Sequence, residues 1–241
     1  MKICIPIMAE NVESALRKMK RAFPIADILE LRIDRIGDVN LKRLLERKKE
    51  NILVTNRRKE EGGGFTGKEM ERVALLKEAA SLGAGYVDIE AGTDVVLIHD
   101  LKETIRKGGQ GTKLIVSHHD LRGTPGIRSL RKKFDECAAA GADMVKIVTS
   151  ARTMEDNLRV LSLISAGRKK GVGVIAFCMG EMGRVSRVMA PLFGSCLTFA
   201  SLDKGEESAP GQFTAEEMRK FLKGFEALRP FGKLRTNNSE G

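Results

Sequence analysis

The sequence predicts a single-domain α/β protein of the (β/α)8, or TIM, barrel class, and three observations carry that prediction. Short apolar segments alternate strictly with helical patterns, eight of each, from one end of the chain to the other. The length of 241 residues matches one such barrel. Finally, no GxGxxG follows the first strand and no GxxxxGK[ST] follows any strand, which weakens the case for a doubly wound open sheet.

The elements follow in order. The first strand is KICIPIM (2–8), with a helix from about Glu10 to Arg21. ILELRID (28–34) precedes a helix from about Asn40 to Lys49. ILVTNR (52–57) leads through EEGGGFTG, read as flexible, into a helix over 68–82. YVDIE (86–90) comes before a helix over about 93–107. KLIVSHH (113–119) is followed by Thr124 and Pro125, read as a cap and a first-turn proline. The helix they open keeps Ile127, Leu130, Phe134 and Cys137 on one face and stops at Gly141. DMVKIV (143–148) with a helix over 154–169, GVIAFCM (173–179) with one over 181–189, and CLTFA (196–200) with one over 214–228 complete the series. The barrel is expected over residues 1–228, and RPFGKLRTNNSEG (229–241), which has no periodicity, is expected to be a flexible tail.

With 42% hydrophobic and 31% charged residues, the chain can bury a core, which excludes disorder as its main state. The longest apolar runs reach about half of the ~20 residues of a membrane helix, and no basic segment leads into an apolar stretch at the N-terminus. A cytoplasmic protein without membrane contact is the expectation. The net charge of +10 admits nucleic acid or anionic small molecules as partners. Aromatics are only 5%, however, and Lys and Arg interleave with Glu along helices, the pattern of a solvated face and not of a nucleic-acid groove. Cys4, Cys137, Cys178 and Cys196 lack CxxC spacing and sit among apolar neighbours, so they read as buried free thiols.

In a barrel the active site forms at the C-terminal ends of the strands. Alternation along ILELRID turns Glu30, Arg32 and Asp34 inward and Leu29, Leu31 and Ile33 outward. Arg57 ends the third strand, Asp88 and Glu90 share a face of the fourth, and His118 and His119 end the fifth. Lys146 lies between Val145 and Ile147 on the sixth. Any single pair of these charges reads equally well as a structural ion pair plugging the barrel mouth. A lysine and two histidines at the same rim are not needed for a plug. A lysine in an apolar strand loses hydration, which disfavours its ammonium form and leaves an amine able to attack a carbonyl. A histidine on the neighbouring strand can move the protons. No metal and no cofactor is needed. His118 and His119 are adjacent and so face opposite ways, a poor chelating pair, and His99 lies in a helix as a surface residue.

Seven motifs, in this order, then place the chain: ELRID, TNRRKEEGG, SHHD, GADMVKI, MGEMGRVSR, FGSCLTF and SAPGQ. Over about Lys2 to Leu228 the sequence resembles the type I 3-dehydroquinate dehydratases of the shikimate pathway. That resemblance implies a cofactor-free lyase converting 3-dehydroquinate to 3-dehydroshikimate by syn elimination. Lys146 would form the Schiff base, His119 would act as general base and then acid, and Glu61 would orient the histidine. Arg187 would pair with the substrate carboxylate, and Ser208 and Gln212 would belong to a closing loop. Glu30, Arg32 and Arg57 would read the ring hydroxyls, with Met179 and Phe199 as apolar walls. A homodimer is implied as well, whereas His118 is not required by the motif. Two other readings stay open: a class I Schiff-base aldolase on the same barrel, and a catalytically silent barrel that binds an anionic partner through its basic surface.

Overall fold

A computed structural model describes residues 1–227, and the tail expected over 229–241 lies outside the described residues. The strands are β1 (Lys2–Ile7), β2 (Ile28–Arg32), β3 (Ile52–Thr55), β4 (Tyr86–Glu90), β5 (Lys113–Asp120), β6 (Met144–Ser150), β7 (Gly173–Met179) and β8 (Leu197–Phe199). Between and after them come α1 (Val12–Ala22), α2 (Leu41–Leu44), α3 (Glu69–Ser81), α4 (Val95–Gly108), α5 (Ile127–Ala139), α6 (Met154–Lys170), α7 (Arg184–Phe193) and α8 (Ala215–Ala227). All pairings are parallel, in the order β7-β6-β5-β4-β3-β2-β1-β8. The sheet is therefore a (β/α)8 barrel with one seam between β7 and β8. There the Cys196 N–H donates to the Val174 carbonyl at 2.8 Å, and the rings of Phe177 and Phe199 meet with centroids 5.7 Å apart.

Strand alternation builds two cores. The outward set, including Ile3, Leu29, Val54, Val87, Val116, Ile147 and Ala176, packs under the helices. The inward set closes the bottom of the barrel with Cys4, Ile28, Leu53, Tyr86, Ile115, Ile175 and Leu197. Two residues further along β2 to β5, and on β6 beyond Met144, the inward positions become Glu30, Thr55, Asp88, Ser117 and Lys146. The interior thus passes from apolar to charged towards the C-terminal ends of the strands, as the fold requires of an active-site face. Among the described residues, no helix is long and apolar enough to cross a membrane.

Several local expectations need correction. The helix expected over 40–49 is the short α2 alone, because Lys48 adopts a left-handed φ of 51° and a 3-10 turn over Lys49–Asn51 enters β3. Thr124 does not cap α5, whose cap is Gly126; its hydroxyl instead donates to the Ser150 carbonyl at 3.0 Å and ties the β5 loop to β6. The EEGGGFTG stretch is ordered by a 3-10 turn over Lys59–Glu61 and an isolated bridge between Arg58 and Phe65. Asp34 lies in a turn after β2, not in the strand, but still faces Arg32. Cys196 is only half-buried, at the seam, while the other three thiols are fully enclosed.

Candidate active site

Four cations and four carboxylates are interlocked inside the barrel mouth. Arg72 pairs with Glu90, Arg57 with Glu90 and Asp88, Lys146 with Asp88 and Glu30, and Arg32 with Asp34. Lys146 Nζ stands 3.1 Å from Asp88 Oδ2, 3.6 Å from Glu30 Oε1 and 4.4 Å from the centre of the Phe199 ring. The lysine expected among apolar neighbours thus has carboxylates on two sides and an aromatic face on a third. Burial alone would push Asp88 up; Arg57, Lys146, His119 and the Ser117 hydroxyl outweigh it and hold the carboxyl far below its usual range.

Glu61 is delivered by the turn that follows β3. Its Oε2 accepts the backbone N–H of His119 and contacts His119 Nδ1, both at 2.9 Å. With Nδ1–H given to Glu61, the Nε2 lone pair is the free basic site. Burial raises Glu61 to about 7, partly offset by Arg57. His119 is held well below its usual value by burial, then by Arg57 and Lys146. The two share one proton equilibrium. A proton added to the pair disables the base wherever it settles: on Nε2 directly, or on Glu61, which then donates to Nδ1 and forces the hydrogen onto Nε2. We therefore expect kcat/KM to be full above about pH 7 and to fall as the pH drops through it. Glu61→Gln should move that limb to lower pH, because the burial and cations that depress His119 remain. A pH–rate profile of both proteins checks this.

The turn also explains one glycine. Gly63 passes so close to Arg57 that a Cβ would fall on its backbone carbonyl. Gly63→Ala should open the turn, displace Glu61 and lower kcat on the order of 10²-fold. Thermal melting should record only a modest destabilisation beside that loss.

Arg187 reaches the site from α7 and is fully buried. Its Nη2 donates to the Pro210 carbonyl at 3.2 Å, its guanidinium lies 4.7 Å above the Phe177 ring, and its Nε and Nη1 have no partner among the described residues. Burial lowers it to about 10, which still leaves it a cation at neutral pH. The loop after β8 closes over it. The Ser208 N–H donates to Gln212 Oε1 at 2.8 Å and Gln212 Nε2 donates to Ser208 Oγ at 3.0 Å, a closed ring of bonds at the loop tip.

All eleven site residues expected from the sequence line one cavity of about 280 Å³: Glu30, Arg32, Arg57, Glu61, His119, Lys146, Met179, Arg187, Phe199, Ser208 and Gln212. Gly62, Leu121, Val148, Phe177, Ala209 and Pro210 share the lining and were not anticipated. Val148 and Phe177 had a readable signal, each lying two residues along its strand from an assigned one. Arg72 had none, since it enters from α3, outside the barrel, to bond the Asn56 carbonyl and Thr93. Arg57 is engaged by Asp88, Glu90 and Ser117 at once, which leaves it less free for a ligand than expected.

The fold and this cavity define a barrel enzyme in which an amine, an oriented imidazole and a guanidinium with spare donors converge on one small anion-sized space. A model of the type I 3-dehydroquinase family matches residues 3–229. The 3-dehydroquinate dehydratase of Methanococcus maripaludis strain S2 is 38% identical over 221 residues, covering 92% of this chain and 98% of that protein. That of Desulfotalea psychrophila is 37% identical, covering 90% of this chain and 95% of that one. Among solved structures, the 3-dehydroquinate dehydratase of Geobacillus kaustophilus superposes with a TM-score of 0.84 at 28% identity, covering 94% and 91% of the two chains. The type I enzyme of Clostridium difficile, solved with covalently modified comenic acid, gives 0.83 at 27% identity, covering 94% and 92%. The chain belongs to the type I 3-dehydroquinase family, whose reaction is the dehydration of 3-dehydroquinate.

Proposed function

We propose that the protein dehydrates 3-dehydroquinate to 3-dehydroshikimate through a Schiff base on Lys146. The unprotonated Nζ adds to the C3 ketone, and the carbinolamine loses water to give an imine. His119 Nε2 removes a C2 proton, and the imine accepts the electron pair as an enamine. The same imidazolium then protonates the C1 hydroxyl as it leaves, so both groups depart from one face. Water hydrolyses the imine and frees the lysine, for a net loss of one water. Arg187 holds the substrate carboxylate with its spare N–H groups, and Met179 and Phe199 wall the ring. Glu30, Arg32 and Arg57 surround the hydroxyls, and the Ser208–Gln212 loop covers the ligand.

The observation that supports this reading best is the convergence on one cavity of Lys146, His119 with Nδ1 against Glu61, and Arg187 with two unpartnered donors. The test is incubation with 3-dehydroquinate, reduction with borohydride and peptide mass analysis. A ligand adduct on Lys146 is the expected result. Turnover by folded protein with no reducible adduct would overturn the imine mechanism.

A further inference from the structure

Two imidazoles reach Glu61, not one. Its Oε2 serves His119, while its Oε1 faces His118 Nδ1 at 3.9 Å. Successive residues of a strand point to opposite sides, so His119 enters the cavity and His118 lies on the outer side, towards α5. Only a group set over the end of the strand can meet both, and the turn after β3 places Glu61 there. The His118 side chain is 28% exposed against 11% for Glu61 and for His119, so the row His118, Glu61, His119 runs from solvent to the cavity.

We propose that His118 is an acid sensor beside the base: protonated while the His119–Glu61 pair is not, it draws the Glu61 carboxylate away from His119 and so steepens the acid limb below the edge that the pair sets. The inference rests on the proposed pairing of Glu61 with His119. The charged groups facing His118 are Glu61 from the turn, Asp120 from its own strand, and Lys133 and Glu136 from α5. Lys133 and Glu136 bond each other at 2.6 Å, and Asp120 accepts the Arg122 N–H, so Glu61 is the carboxylate with an oxygen turned to the ring. Burial, then Lys133, hold His118 below its usual value against Asp120 and Glu136. At neutral pH the ring is uncharged, makes no hydrogen bond across 3.9 Å and leaves Glu61 to His119. In molecules whose His119–Glu61 pair is still unprotonated, a His118 imidazolium attracts Oε1. The carboxylate turns towards it and loosens the Oε2 contact that fixes the His119 tautomer. Acid inactivation then takes two protons, one on the His119–Glu61 pair and one on His118.

The experiment is a kcat/KM profile from pH 5 to 9 for the wild type, His118→Gln and Glu61→Gln, with NMR titration of the histidine rings. In the wild type the acid limb should steepen from a slope of one to two towards pH 5. His118→Gln should keep the wild-type value at pH 8 and a slope of one throughout. The His118 ring should titrate over the range in which the limb steepens. A His118→Gln profile superimposed on the wild type would overturn the proposal. So would a uniform loss at every pH, the mark of a purely structural role. A His118 ring that titrates outside that range counts against it in the same way. Full activity and an unchanged acid limb in Glu61→Gln would instead sink the parent reading of the base, and this inference with it.

Discussion

Lys146→Ala is expected to lower turnover on the order of 10⁴-fold or more while the barrel still folds, because among the described residues no other amine lines the cavity to form the imine. The physical cost goes beyond chemistry. Lys146 is one of four cations balancing four carboxylates, and its removal leaves Asp88 and Glu30 facing each other with less positive charge between them. Breaking a buried pair on one side costs about 3–5 kcal/mol, since the desolvated partner stays behind. The variant should therefore melt below the wild type at neutral pH. The sign of its pH dependence follows. With Lys146 gone, Asp88 loses one of the charges that hold it far below its usual range, so the folded state binds a proton more readily than before. The gap to the wild type should therefore narrow as the pH falls below the ordinary carboxylate range. Lys146→Met, which fills the volume without a charge, should be equally inactive and follow the same trend. Turnover assays, with thermal melts at about pH 3 and pH 8, check both statements. Retained activity in either variant would remove the imine from the mechanism.

The same balance explains how far the site could be read from the chain. Strand periodicity is set by backbone geometry, so the inward placement of Glu30, Asp88 and Lys146 followed from counting by two. The strand order and helix alternation were legible for the same reason. What could not be read is whatever depends on a partner from elsewhere. Whether Lys146 met apolar groups or carboxylates depended on the register of three strands, and the carboxylates on β2 and β4 prevailed. Arg72 carries no pattern of its own, because a helix arginine 16 residues past Asn56 becomes buried only when α3 docks on the barrel. The EEGGG turn looked loose because glycines are permissive. In this chain they serve the opposite purpose, letting the backbone pass against Arg57 and aim Glu61 at His119. Thr124 was a sound cap by composition alone, yet its hydroxyl found a better acceptor on β6.

Arg187→Met should separate binding from stability in opposite directions. A buried guanidinium with two unpartnered N–H groups is an expense in the empty protein, since its charge has left water without a carboxylate to replace the lost hydration. Its lowering to about 10 by burial reports that same cost. Among the described residues, the Pro210 carbonyl and the face of Phe177 alone compensate. An apolar side chain of similar length keeps the packing on Phe177 and removes the uncompensated charge, so the free variant should gain about 1–3 kcal/mol. Binding should move the other way. A desolvated carboxylate partner lost from a closed site costs about 2–5 kcal/mol, which places the rise in KM at about 30-fold or more. The two effects meet in one measurement, a melt with and without ligand. The wild type should gain stability steeply with added 3-dehydroshikimate, as binding to the folded state alone requires. The variant should start higher and respond little. If Arg187→Met instead lost stability in the free protein and kept the wild-type ligand response, the guanidinium would be a structural plug between α7 and the loop after β8. The substrate carboxylate would then have to be held by Arg32 and Arg57. Both are already paired with carboxylates in the barrel wall, and a ligand could reach them only by displacing those bonds.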